Sequence, residues 1–209
     1  AKHDQKEALT ILGREIAPMG TGGVPGMTGG FGGAGRATPS PLIRLFSCFV
    51  PKTMVPVSVE LDGRKIDVPI PARGGFEPES LPADAPPAPA PVAGNSVTVP
   101  LVALAYGRSG DKGDSCNIGI IARKAEFLPI IAGQVTEQSV AQYFAHRVKG
   151  KVTRWALPGI GGFNFLLRNA LGGGGVTSLQ ADPQGKAYAQ MLLDMPVKVP
   201  AELARGLAE

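Results

Sequence analysis

Residues 77 to 95, "EPESLPADAPPAPAPVAGN", are proline and alanine with little else, and they limit what the chain can fold into more than any other stretch. Each proline fixes φ and removes an amide donor, so neither a helix nor an interior strand runs through them. The composition predicts an extended, semi-rigid tether. A domain boundary therefore falls here, with residues 1–76 on one side, 77–96 as linker and 97–209 as a second unit.

The first unit opens with "AKHDQKEALTILGREIA", in which Ala8, Leu9, Leu12 and Ile16 fall on one face at helical spacing. A helix is predicted over 2–16, ended by Pro18 and Gly20. The chain starts at Ala1 directly in this charged stretch, and it is expected to be a piece of something longer. Residues 20–41, "GTGGVPGMTGGFGGAGRATPSP", are nearly half glycine and predict a loop, floppy or pinned by what it covers. In "VPVSVELDGRKIDVPIP" two β-branched alternating runs flank Asp62-Gly63, the pair suited to a primed two-residue turn, so a β-hairpin is predicted.

The second unit begins with "VTVPLVALAY", apolar on both faces from Val99 and read as an interior strand. A loop, "YGRSGDKGDSCNIG", joins it to a second apolar run, "CNIGIIA". A helix is predicted over about 137–148, capped by Thr136, with Val140, Phe144 and Val148 stacked on one side. "KVTRWAL" reads as a strand, and "GFNFLLRNAL" fits strand or helix. In the last helix Asp182 caps, Pro183 takes the first position, and Tyr188, Met191, Leu192 and Met195 line one face before "VKV" returns as a strand. The interleaving predicts an α/β or α+β fold: a mixed sheet with helices packed on it, two-layer or sandwich, preceded by the helix, glycine-rich loop and hairpin.

Residues 1–96 hold nine Lys/Arg and nine Asp/Glu, and residues 97–209 hold twelve and eight, so the whole net charge of +4 lies in the second unit. That suits a small anionic ligand. It is too weak, and too short of interleaved aromatics, for nucleic acid. Nothing approaches the ~20 apolar residues of a spanning helix, so no membrane partner is expected and the location predicted is cytoplasmic. Cys48 and Cys116 lie far apart with no zinc or haem spacing, which fits a reducing compartment.

Two stretches carry candidate chemistry. In residues 106–119, Arg108, Asp111, Lys112 and Asp114 alternate in sign among Gly107, Gly110 and Gly113, which predicts a nest of amides able to hold an anion. The plainer alternative is a turn whose charges pair with one another. The second stretch, "GGGGVTS", runs from Gly172 through Gly173, Gly174 and Gly175 to the hydroxyls Thr177 and Ser178, and it matches no nucleotide-binding spacing. Cys116 with His146 is weighed as a dyad against a plain buried thiol, which is the favoured reading. "HRVKGKVTR", residues 146–154, is read as a solvated helix end. The pair Asp111 and Asp114 is too little for a metal site, and none is assigned.

Taken together, "RSGDKGDSCNIGIIAR", "VAQYFAH", "ALPGIGGFNFLLRNALGGGGVTSLQADPQGK" and "LLDMPVKVP" resemble the C-terminal domain of the acyclic terpene utilisation (AtuA-like) family over residues 98–200. "LGREIAPMGTGGVPG" and "PSPLIRLFSCFVPKTMVPVSVELDG" resemble the tail of that family's larger N-terminal domain. The resemblance implies bacterial catabolism of branched or terpenoid acids handled as CoA thioesters, by hydratase, dehydratase or lyase chemistry. Carried over by position, Arg108, Ser109, Asp111, Lys112, Asp114, Asn117, Asn164 and Gly172 to Gly175 are the matched sites. The family reads closer to "NLHALNF" where this chain has "GIGGFNF", so a histidine expected between Leu157 and Asn164 is absent.

The enzyme reading assigns Arg108 and Lys112 to a CoA thioester or carboxylate, with Ser109, Asn117, Asn164 and the tetraglycine lining it. Asp111 or Asp114 is the general acid/base. No cofactor beyond the coenzyme A of the substrate is called for. Most of the large N-terminal domain is missing, so a separate polypeptide is expected to supply it in a homo- or hetero-oligomer. The rival reading is a non-catalytic assembly subunit.

Overall fold

The computed structural model describes residues 1–22, 39–43, 48–72, 74–75, 77, 79, 88–89 and 94–207. The glycine-rich stretch and the Pro/Ala tether fall largely outside the described residues.

Helix α1 spans Lys6–Gly22. Pro18 lies inside it: a proline forfeits one intrahelical donor but does not by itself stop the flanking residues, so the helix overruns the predicted end. Strands β1 (Ser58–Leu61) and β2 (Arg64–Asp67) form the predicted hairpin, with Asp62 and Gly63 both at positive φ (51° and 72°), as a type I′ turn requires. The hairpin is exposed on both faces, and α1 leaves Ile11, Leu12 and Ile16 exposed.

The second unit has two sheets. Strand β3 (Ser96–Pro100) pairs antiparallel with β8 (Pro196–Pro200). The larger sheet has the order β4-β5-β7-β6, where β4 is Ala105–Lys112, β5 Ser115–Ala122, β6 Val152–Leu157 and β7 Gly162–Leu167. Every described pairing is antiparallel, which puts the fold on the α+β side of the expectation. The single strand predicted through Val99 is in fact two. A 3-10 turn at Leu101–Ala103 buries Leu101 and redirects the chain from the small sheet into the large one.

Between β5 and β6 come α2 (Leu128–Gln134) and α3 (Glu137–Tyr143). Thr136 caps α3 through a reciprocal box with Ser139. This helix ends five residues before the predicted 148, but Val140, Phe144 and Val148 still turn inward as its spacing requires. Helix α4 (Tyr188–Leu193) lies against β4 and β5, α3 lies against β6, and α5 (Ala201–Arg205) follows β8.

One face of the large sheet therefore carries the helices. Ile118 and Ile120 of β5, Phe163, Phe165 and Leu167 of β7 and Val152 of β6 meet Phe127, Ile131, Val140, Phe144, Tyr188 and Leu192 there, all buried. Each such side chain contributes about 1.5–3 kcal/mol by leaving water. Phe144 and Tyr188 stack with ring centroids 5.5 Å apart, and the Tyr188 hydroxyl donates to the Ala170 carbonyl at 2.7 Å. Among the described residues no element covers the opposite face, and Tyr106, Ile121 and Trp155 are exposed on it. Among the described residues no helix is long and apolar enough to cross a membrane.

Candidate functional site

The segment read from sequence as a binding loop is a β-hairpin. Residues 105–112 and 115–122 pair in continuous register, so only Gly113 of its glycines takes a positive φ (65°). The predicted nest at Gly107 and Gly110 does not form, because ladder pairing draws their backbones straight. Side chains in a strand alternate between faces, and that alternation sorts the matched residues.

Gly107 and Ser109 face the helices. A Cβ at Gly107 would meet Leu193 and Ala189, and Ser109 is buried with both hydrogen-bonding roles taken. Its Oγ accepts from the Ala189 amide at 2.9 Å and donates to the Lys186 carbonyl at 3.1 Å, capping α4 from a strand eighty residues away. Asp182 does not cap α4 directly. Its carboxylate accepts from the Lys186 and Ala187 amides (2.9 and 2.8 Å) and fixes the turn ahead of the helix. Asp111 falls on the same side as Ser109, opposite Cys116 in the register.

Cys116 is fully buried, and its thiol points at the Gly185 carbonyl. Burial pushes this thiol up to about 12, with Asp182 and Asp111 adding to the rise. His146 is exposed and accepts from the Arg147 Nε at 3.3 Å, so no dyad forms and the buried-thiol reading holds.

Arg108, Asn117 and Asn164 lie on the uncovered face. The register sets Arg108, Gly119, Asn164 and Trp155 side by side in a row across four strands. Gly119, in the middle, has no atom within 4 Å of where a Cβ would stand, so the row has a gap floored by backbone. Asn117 Nδ2 donates to Asn164 Oδ1 at 2.5 Å and to the Phe165 carbonyl at 3.2 Å. Among the described residues the Asn117 oxygen and the Asn164 amide nitrogen make no other hydrogen bond, and both residues adjoin Gly119 on this face. Lys112 shares this face, but its Nζ donates to the Asp111 carbonyl at 3.1 Å.

The two glycine stretches meet at the end of the sheet. The Asp114 carboxylate accepts from the Gly173 amide at 2.6 Å and from Asn169 Nδ2 at 3.4 Å, and its carbonyl accepts from the Ala170 and Leu171 amides. Gly172 to Gly175 all have positive φ, and a Cβ on Gly174 would collide with the Gly113 carbonyl oxygen. The left-handed backbone at all four, with close backbone approach at Gly174, accounts for the tetraglycine. Thr177 is buried and donates to the Ile43 carbonyl at 2.8 Å, tying residues 39–43 to this loop, while Ser178 accepts from the Gln180 amide.

Asp114 is thus held by Gly173 and Asn169 at the end of the sheet, and Asp111 lies on the side opposite the row of Arg108 and Asn164. Among the described residues no three His, Cys, Asp or Glu side chains gather as a metal site would need. The position of the missing histidine falls in the β6–β7 turn, a 3-10 turn at Pro158–Ile160 followed by Gly161 at φ 62°.

The β4–β5 hairpin and the tetraglycine lie within residues 99–198, and that segment matches the family described as the AtuA ferredoxin-like domain. Residues 99–198 are an AtuA ferredoxin-like domain. The match is to the second unit alone and covers a little under half of the chain. No curated protein and no solved structure matches the chain. The observed sheet order explains the description: it is the ferredoxin-like βαββαβ sheet with its closing strand, here β4, moved to the front of the chain. The likeness is one of fold, since two cysteines in the whole chain cannot supply the four thiolates of an iron–sulfur cluster.

Sequence reasoning passed over Lys186. The Gly185-Lys186 pair ends a quoted motif, but only the fold carries its side chain around the edge strand β4. There its Nζ stands 3.5 Å from the Cβ position of Gly110, and Arg108 Nη2 stands 3.8 Å from the same point.

Proposed function

We propose that this AtuA-like chain is part of an enzyme of acyclic terpene or branched-chain acyl-CoA catabolism and that its second unit binds the substrate. The observation that carries the reading is the row Arg108, Gly119, Asn164 with Asn117 beside it, a cation and amide groups around a gap on a sheet face that no described element covers. A carboxylate or CoA thioester has the matching chemistry: charge for the guanidinium, and a carbonyl and amide-rich arm for the asparagines.

Hydratase, dehydratase or lyase chemistry needs a proton donor and acceptor at the reacting carbon. Asp114 is committed to Gly173 and Asn169, and Asp111 stands on the helix side, so the acid/base is assigned to the large N-terminal portion, supplied in an oligomer by a separate polypeptide. A cytoplasmic location belongs to the same proposal.

Titration of the full chain with 3-methylbutanoyl-CoA tests it. Saturable binding is expected, weakened roughly tenfold by Arg108→Ala and by Asn164→Ala. Unchanged affinity in both variants would remove the site.

A second reading, an assembly subunit without chemistry, is favoured by one observation. Val59, Leu61 and Ile66 of the hairpin and Ile11, Leu12 and Ile16 of α1 leave apolar surface bare in the first unit. Mass measurement with and without a coexpressed large AtuA-like polypeptide separates the readings. Assembly without any thioester binding supports this second one.

A further inference from the structure

Two cations converge on one point of the open sheet face. Arg108 reaches it along its own strand, and Lys186 reaches it from the turn before α4 by passing the edge of β4. Both head groups approach the Cβ position of Gly110, at 3.8 and 3.5 Å, and no side chain of Gly110 fills that position. Neither has a carboxylate partner or another bonding partner among the described residues. The arrangement is held from beneath: the Lys186 carbonyl accepts from Ser109, and its amide donates to Asp182. Like charges drawn together in this way repel unless an anion sits between them.

We propose that Arg108 and Lys186 form a clamp over Gly110 for a phosphomonoester dianion. Two positive charges match a double negative charge better than the single charge of a carboxylate, and the guanidinium fork suits phosphate oxygens. Gly110 is itself buried, and its lack of a side chain is what lets the two head groups stand this close over the backbone, with Arg108 exposed to receive the anion. The site itself does not depend on the acyl-CoA reading. The 3′-phosphate of coenzyme A and free phosphate share the chemistry, and on the acyl-CoA reading the 3′-phosphate is the occupant.

The test uses the full chain at mildly alkaline pH, where inorganic phosphate is a dianion. Phosphate, adenosine 3′,5′-bisphosphate and acetate are titrated while the Gly110 amide is followed by NMR. The expected result is a saturable shift with both phosphates, stronger than with acetate. Affinity falls roughly tenfold in Lys186→Met and in Arg108→Met, and stays within about twofold in Lys112→Met. Gly110→Ala places a methyl between the two cations at ordinary contact distance, so it abolishes binding with folding kept. Lys186→Arg retains binding.

Three results overturn the clamp: a Gly110 amide that does not respond, acetate binding as tightly as phosphate, or Lys112→Met losing as much as Lys186→Met. Phosphate binding without any 3-methylbutanoyl-CoA binding supports the clamp and sinks the acyl-CoA reading. Thioester binding that Lys186→Met leaves untouched overturns the 3′-phosphate of coenzyme A as the occupant and leaves the acyl-CoA reading standing.

Discussion

The carboxylate of Asp114 accepts the amide of Gly173 at 2.6 Å, and this bond joins the β4–β5 turn to the tetraglycine. A residue that sequence marks for proton transfer is thereby the post on which the second glycine stretch hangs. Its loss leaves the Gly173 amide without this partner and loosens the start of the loop. Asp114→Ala is expected to lower stability by about 1–2 kcal/mol, read by urea unfolding, with faster hydrogen exchange at Gly173. If binding or activity vanished while stability and exchange stayed as they were, the carboxylate would be a chemical group instead.

The glycines differ in what they tolerate. Alanine at Gly175 (φ 47°) meets nothing within 4 Å and suffers only the left-handed backbone, about 1–2 kcal/mol. At Gly174 (φ 68°) the same change adds a collision with the Gly113 carbonyl, and a larger loss of several kcal/mol is expected. Gly119 carries neither burden. Gly119→Ala should unfold within about 1 kcal/mol of the unsubstituted chain yet weaken thioester binding by filling the gap between Arg108 and Asn164. Equal melting of the Gly174 and Gly175 variants would contradict the close approach.

These contrasts mark how far the sequence could be read. The Asp62-Gly63 hairpin, the Thr136 cap and the inward stack of Val140, Phe144 and Val148 were legible because each depends on residues close in the chain. The candidate loop was misread because its glycines suggest turns, whereas pairing with β5 and β7 holds them extended. Local pattern also hides which face a side chain takes: Arg108 and Ser109 are neighbours in sequence and stand on opposite sides of the sheet. The partner of Asp114 and the approach of Lys186 to Arg108 are long-range, and composition carries no signal for either.

The buried thiol gives a pH prediction. Cys116 holds its proton in the folded chain up to about 12, against an ordinary value of 9.0, and burial raises Tyr188 in the same direction. Between those two values the unfolded chain releases the Cys116 proton while the folded chain keeps it, so stability falls as pH rises through that window and is complete below it. Cys116→Ala should flatten part of the alkaline decline in unfolding midpoint. Maleimide at neutral pH should label the exposed Cys48 and reach Cys116 only after denaturation. Prompt labelling of both in the folded chain would rule out the burial.

Ser109 provides the sharpest separation of support from binding. It is one of the matched residues and lies next to Arg108, so a contact with ligand is the natural expectation from sequence. Its hydroxyl instead accepts from Ala189 and donates to Lys186, beneath the sheet and away from the gap. Ser109→Ala removes a helix cap and leaves a buried amide unmet, which should lower stability by about 1–2 kcal/mol. Thioester affinity at a temperature well below melting should stay within about twofold, apart from any slack passed to Lys186. Valine at the same place would add bulk under α4 and lose more stability without altering that pattern. A Ser109→Ala chain that melts normally but no longer binds would mean that the hydroxyl faces the ligand, and the assignment of the two faces would have to be reversed.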